Sequence, residues 1–175
     1  ELSFKSPNTV RLFTANMNAG LANPLQVRDL VKNTLRMRPD RIIIGEVRGA
    51  EAFDLLQAMN TGHDGSMCTV HANSSVEALS RIENLFLFAG FEVPQKAVRK
   101  QISTAVDYII QLDCNERGER IVSEVVEITK MEGEIITSNR IGIRGDNGLE
   151  FTGVVPVSMK KLMPAGIAPD FFVDI

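Results

Sequence analysis

No stretch of the 175 residues is apolar for long enough to span a membrane as a helix, and none reads as a signal peptide. Basic residues are not in excess: 19 Lys and Arg stand against 22 Asp and Glu, a net charge of −3, which argues against a broad nucleic-acid-binding face. There are only two cysteines, Cys68 and Cys114, far apart, which suits a reducing compartment better than a disulfide framework. No internal repeat or low-complexity segment is visible, and nothing matches the phosphate-cradling pattern G-x-x-x-x-G-K-[ST]. What remains is an ordinary globular composition, 44% hydrophobic and 23% charged, long enough for one domain with a real core. The chain opens on Glu1, and we expect a fragment of a longer protein.

The stretch that organises the chain is residues 38–49. Ile42-Ile43-Ile44 is a short β-branched run bounded by Pro39 and Gly45, and it reads as a strand buried on both faces. Glu46 follows at its carboxyl end, where open α/β sheets bind their ligands. An apolar strand ending in an acid is the Walker B pattern of nucleotide-hydrolysing proteins, in which the acid supports the Mg2+ shell or orients the attacking water. Taken alone the pattern is weak, because many buried strands end beside a solvent-facing acid.

Elsewhere the chain alternates. Residues 1–22 read as loop, with a short strand candidate at Val10-Arg11-Leu12-Phe13. A helix is expected from Asn23 (cap) and Pro24 (first position), with Gln26 closing a capping box and Val27, Leu30, Val31, Thr34 and Leu35 on its buried stripe. Arg28, Lys32 and Arg36 face away, as a solvated face or as cations reaching phosphates at a subunit boundary. Glu51 opens a second helix with Ala52, Phe53, Leu55, Leu56 and Met59 inward, ending near Gly62. A strand over residues 67–70 leads to His71. Ser74 and Glu77 form a capping box for a third helix, and a fourth follows Pro94. Residues 108–112 read as a third strand of the same parallel sheet.

From Asp113 the pattern becomes antiparallel. Turns fall at 115–118, 132–133 and 146–148, between runs rich in β-branched residues, and residues 157–162 suggest a short terminal helix. Arg144-Gly145-Asp146 matches an adhesion tripeptide, but a hairpin turn explains it better. The expected architecture is α/β: residues 1–112 a parallel α/β part, and residues 113–175 antiparallel strands and a tail.

Three features align. Glu46 ends one strand, Thr61-Gly62-His63-Asp64-Gly65 precedes the next, and Thr69-Val70-His71-Ala72-Asn73 ends it. In a parallel sheet the ends of neighbouring strands lie side by side, so Glu46 and His71 are expected to face one crevice. A lone histidine there is more often structural than functional. Together, however, residues 38–46 with Arg48, the Gly62-His63 pair and residues 69–73 resemble the Walker B and histidine boxes of the secretion ATPases, the hexameric RecA-like motors of type II and type IV secretion and pili. Val27-Arg28-Asp29-Leu30-Val31-Lys32-Asn33, residues 51–67 and Glu77-Ala78-Leu79-Ser80-Arg81 are similar to the CpaF-like, tight-adherence (Tad/Flp) pilus branch.

That resemblance implies a RecA-like P-loop NTPase core and an ATP-hydrolysing motor subunit powering pilus assembly or secretion. ATP and Mg2+ are the implied cofactors. Glu46 and His71 are the implied catalytic residues: Glu46 as the water-orienting carboxylate, in the second shell of Mg2+ and not a direct metal ligand, and His71 coupling the phosphate to the neighbouring subunit. Gly45, Arg48, His63 and Arg36 are candidates near the nucleotide. The implied partners are copies of itself in a hexameric ring and an inner-membrane platform protein, with no direct nucleic-acid binding, at a cytoplasmic location peripheral to the inner membrane. There are two departures from the family pattern. The phosphate-binding loop, which in the family lies N-terminal to this part, is not in these residues, although Glu1-Leu2 look like the end of the family's aspartate box; the chain by itself is therefore expected to be inactive. Ala15 stands where this branch often has arginine.

Two other readings compete. Glu46, His63, Cys68 and His71 are residue types that bind zinc, but alternation along the strand sends Cys68 and His71 to opposite faces. A non-catalytic scaffold subunit of a secretion ring is the second; the intact Glu46 and His71 argue against decay, but the missing phosphate-binding loop leaves it open.

Overall fold

A computed structural model describes residues 6–14 and 25–173. The expectations for Glu1-Leu2, Ala15, the loop at 16–23, and the cap at Asn23 and Pro24 lie outside the described residues. The chain forms two compact units, Glu1–His71 with Arg81–Val93, and Ala72–Ser80 with Pro94–Ile175.

The first unit carries the parallel pairing. Helix α1 (Val27–Thr34) is capped by Gln26, whose backbone N–H donates to the Asp29 carboxylate at 3.0 Å, so Asp29 closes the capping box. A 3-10 turn over Leu35–Met37 follows, ending at Arg38 with a left-handed φ of 53°. Strand β1 (Ile43–Ile44) pairs in parallel with β2 (Met67–Cys68), Ile43 beside Met67 and Ile44 beside Cys68. Both strands are shorter than their apolar runs, but single bonds extend the pairing: Met67 N–H donates to the Ile42 carbonyl at 3.0 Å and Val47 N–H to the Thr69 carbonyl at 2.9 Å. Ile42, Ile44 and Val47 are buried with Val31 of α1, Leu85, and Ala52, Leu55 and Ala58 of α2 (Glu51–Met59). Helix α2 ends where Gly62 takes a φ of 97°.

Arg28 departs from the solvated face expected of it. It reaches α2 and pairs with Asp54 at 2.6 Å, and its guanidinium lies 5.9 Å from the centre of the Phe91 ring. Residues 9–14 hold no regular strand, and Val10 and Phe13 are exposed. A strand exists only where a neighbour pairs with it, and among the described residues none pairs with this run.

Helix α3 (Ser75–Leu87) is capped as expected: Glu77 N–H donates to Ser74 Oγ at 3.1 Å, and the Glu77 carboxylate accepts from Asn73. In the second unit, α4 (Gln95–Ala105) buries Val98 and Ile102. Strands β3 (Tyr108–Cys114), β4 (Arg120–Glu132), β5 (Ile135–Gly145) and β6 (Gly148–Phe151) form an antiparallel meander in that order. Here the expectation for residues 108–112 is corrected. β3 pairs antiparallel with β4, Tyr108 beside Glu127, so it opens the antiparallel sheet and does not extend the parallel one. The turn at 115–118 joins it directly to β4, and a connection that short allows only an antiparallel neighbour. A short helix α5 (Met159–Leu162) lies in the expected tail.

Candidate functional site

The site grows from the ends of β1 and β2. Their backbones stay tied past the strands: Thr69 Oγ1 donates to the Gly45 carbonyl, and Val47 N–H donates to the Thr69 carbonyl. Because Val47 is buried and anchored, Glu46 before it and Arg48 after it are set on the accessible side. The Glu46 side chain is 29% exposed, and its carboxylate accepts a hydrogen bond from the Arg48 guanidinium. That bond, with the charges of Arg48 and His71 and against partial desolvation, holds the Glu46 carboxyl below the usual glutamate range. Glu46 is therefore an ionised acceptor at neutral pH, next to a cation and in electrostatic reach of His71.

His71 follows the residues tied to β1 and is exposed. Glu46, Arg48, Gly45 and His71 are thus brought together at one pair of strand ends. His63 is half-buried in the loop after α2, with its Nδ1 3.1 Å from the Ala58 carbonyl, so its ring is directed at the end of that helix. Arg36 is exposed on the 3-10 turn after α1. Among the described residues no group of three or more His, Cys, Asp or Glu is arranged to hold a metal. Burial raises the Cys68 thiol to about 11, the behaviour of a packed, protonated thiol.

Two residues around the loop also shape the site through its backbone. Glu51 accepts the backbone N–H groups of Arg48 and Gly49 at 2.7 and 2.9 Å. Thr69 ties Gly45, as above. In sequence, Glu51 opens a helix at the start of the 51–67 stretch and Thr69 begins the 69–73 box, and neither is marked there as a tie for the backbone. An acid three residues past Arg48, separated from it by glycine and alanine, is the one local signal that points to Glu51.

An ionised acceptor carboxylate thus stands at the end of one parallel strand, with a histidine past the end of its neighbour. The chain belongs to the family described as Type II/IV secretion system protein, whose model matches residues 1–133. A putative conjugal transfer protein of Mycobacterium tuberculosis is 39% identical over 135 residues, covering 77% of this chain and 38% of that protein. The type IV secretion system protein VirB11 of Bartonella henselae is 34% identical over 113 residues, covering 63% of this chain and 32% of its own length. The crystal structure of the VirB11 ATPase from the Brucella suis type IV secretion system, in complex with sulphate, is similar with a TM-score of 0.54 at 30% identity, over 58% of this chain and 31% of that one. The chain spans about a third of the length of the relatives it matches.

Proposed function

We propose that the chain is the carboxyl-terminal part of a RecA-like motor domain, from an ATP-hydrolysing subunit that drives pilus assembly or secretion, in the CpaF-like branch of its family. The observation that carries this reading is the placing of Glu46 and His71 at the ends of adjacent parallel strands, in a chain similar to a solved structure named as the VirB11 ATPase of a type IV secretion system.

Bound ATP with Mg2+ would supply the phosphoryl group and the charge that activates it. The residues present fit a supporting role toward that group. A single ionised carboxylate at a strand end suits a hydrogen bond to water, and Mg2+ commonly keeps several waters and is held largely by phosphate oxygens. Glu46 accepts a hydrogen bond from the attacking water and holds it in line. Arg48 lowers the Glu46 carboxyl further and sets its direction. His71 donates a hydrogen bond toward phosphate and carries its state to the next subunit. Gly45, His63 and Arg36 are further candidates for the nucleotide, His63 through the loop that leads into β2. The intact protein acts as a hexameric ring docked on an inner-membrane platform protein, cytoplasmic and peripheral to that membrane.

The test is ATP turnover by the full-length protein, wild type against Glu46→Gln. Loss of turnover with nucleotide binding kept supports the reading. An assembled wild-type ring that never turns over supports a scaffold subunit.

A further inference from the structure

We propose that Glu51 is a positioning residue for the Glu46–Arg48 pair: one of its carboxylate oxygens gathers the backbone N–H groups of Arg48 and Gly49 and so sets the direction from which the Arg48 guanidinium reaches Glu46. This rests on the reading of Glu46 as the water-orienting carboxylate.

An acid in the first turn of a helix ordinarily lies in solvent and interacts with the helix dipole. Glu51 is different, because it is only 9% exposed and its Oε1 accepts two N–H donors from the loop upstream of α2. Two charge-assisted bonds converging on one oxygen hold a loop far more firmly than a solvated side chain does. Gly49 leaves room for this approach, since a Cβ on it would lie 3.2 Å from Glu51 Oε2. The backbone is therefore tied on both sides of Glu46. Gly45 and Val47 are bound to Thr69, and Arg48 and Gly49 to Glu51. The Arg48 side chain starts from the last of these fixed points, and the rest of it is exposed. Glu51 thereby fixes the backbone point from which the guanidinium extends to Glu46.

The experiment uses the full-length protein and two readouts. In nucleotide-free protein, Glu51→Ala speeds amide hydrogen exchange at Arg48 and Gly49, and Glu46→Gln does not. In turnover, Glu51→Ala lowers kcat about 10- to 100-fold while the KM for ATP stays within about twofold, as expected when a catalytic group is misplaced. Glu51→Gln, whose amide oxygen still accepts both N–H groups, recovers most of the kcat. In an Arg48→Ala background, Glu51→Ala costs less than about twofold, because both changes act through one interaction. If Glu51→Ala fails to fold, Glu51→Asp, too short to reach both donors, is read in its place. Unchanged exchange at Arg48 and Gly49, unchanged kcat, or equal losses with and without Arg48 overturn the proposal. A wild type that never hydrolyses ATP while Glu51→Ala still frees the two amides removes the catalytic reading and leaves only the hold of Glu51 on the loop.

Discussion

The backbone N–H of Val47 donates to the carbonyl of Thr69 at 2.9 Å, which carries the pairing of two short parallel strands past their ends. Glu46 is the residue before one partner, and His71 lies two residues after the other. This tie is why a carboxylate and a histidine 25 positions apart in the chain interact electrostatically.

Arg48 is the largest cause of the lowered Glu46 carboxyl. A depressed carboxyl stays ionised until the pH falls through its folded-state value, so turnover that needs ionised Glu46 persists to a lower pH than an ordinary glutamate allows. Arg48→Ala removes the leading cause, and the acid limb of the pH–rate profile then moves to higher pH. A limb that stays in place, or moves down, contradicts the assignment. The pair is exposed, so the same substitution leaves the unfolding midpoint nearly unchanged.

The two cysteines should separate cleanly. Cys68 has its thiol raised to about 11 by burial, and Cys114 is exposed. Iodoacetamide at neutral pH labels Cys114 in the native protein and Cys68 only after denaturation, as mass spectrometry of the peptides will show. Rapid native labelling of Cys68 would mean that β2 is not packed as described.

Asp54 and Arg28 join α2 to α1 at 2.6 Å, with side chains 10% and 23% exposed. Asp54→Ala leaves a half-buried guanidinium without this carboxylate and costs about 2–3 kcal/mol, read as a lower urea midpoint with an unchanged slope. A loss below about 0.5 kcal/mol would place the pair among ordinary surface contacts.

How much of this was legible in sequence depends on how far apart the partners lie. The triple isoleucine with its terminal acid, the Ser74–Glu77 cap and the three hairpin turns are local patterns, and the structure carries them. Strand orientation is set by the partner, not by the strand. Residues 108–112 are as apolar as a parallel strand, and only the four-residue turn after them shows that β4 folds straight back. Arg28 meets Asp54 across 26 residues, a pairing that no local pattern encodes, so a cation on a polar helix face reads as solvated. Glu51 was visible as a helix-opening acid, but its reach back to Arg48 depends on the turn through Gly49 and Ala50.

Glu127 offers a separate test in the antiparallel unit. Only 1% exposed, it accepts hydrogen bonds from the N–H groups of Val157 and Ser158, at 2.9 and 2.8 Å, and from the Ser158 hydroxyl at 2.6 Å. Glu127→Ala strands these donors and costs about 3 kcal/mol. It also opens the chain around α5, so limited trypsin digestion cuts faster after Lys160 or Lys161. An unchanged digestion pattern would show that the tail is held by other contacts, such as the Lys161–Asp107 pair.

The most direct test of the account is single-turnover and steady-state ATP hydrolysis by the full-length protein, wild type beside Glu46→Gln. Glutamine keeps the size of the side chain and removes the charge proposed to hold the attacking water. The account predicts that wild type turns over, and that the variant binds ATP with similar affinity and hydrolyses it slower by about two orders of magnitude or more. Equal turnover by both proteins would contradict it, because the working carboxylate would then lie elsewhere.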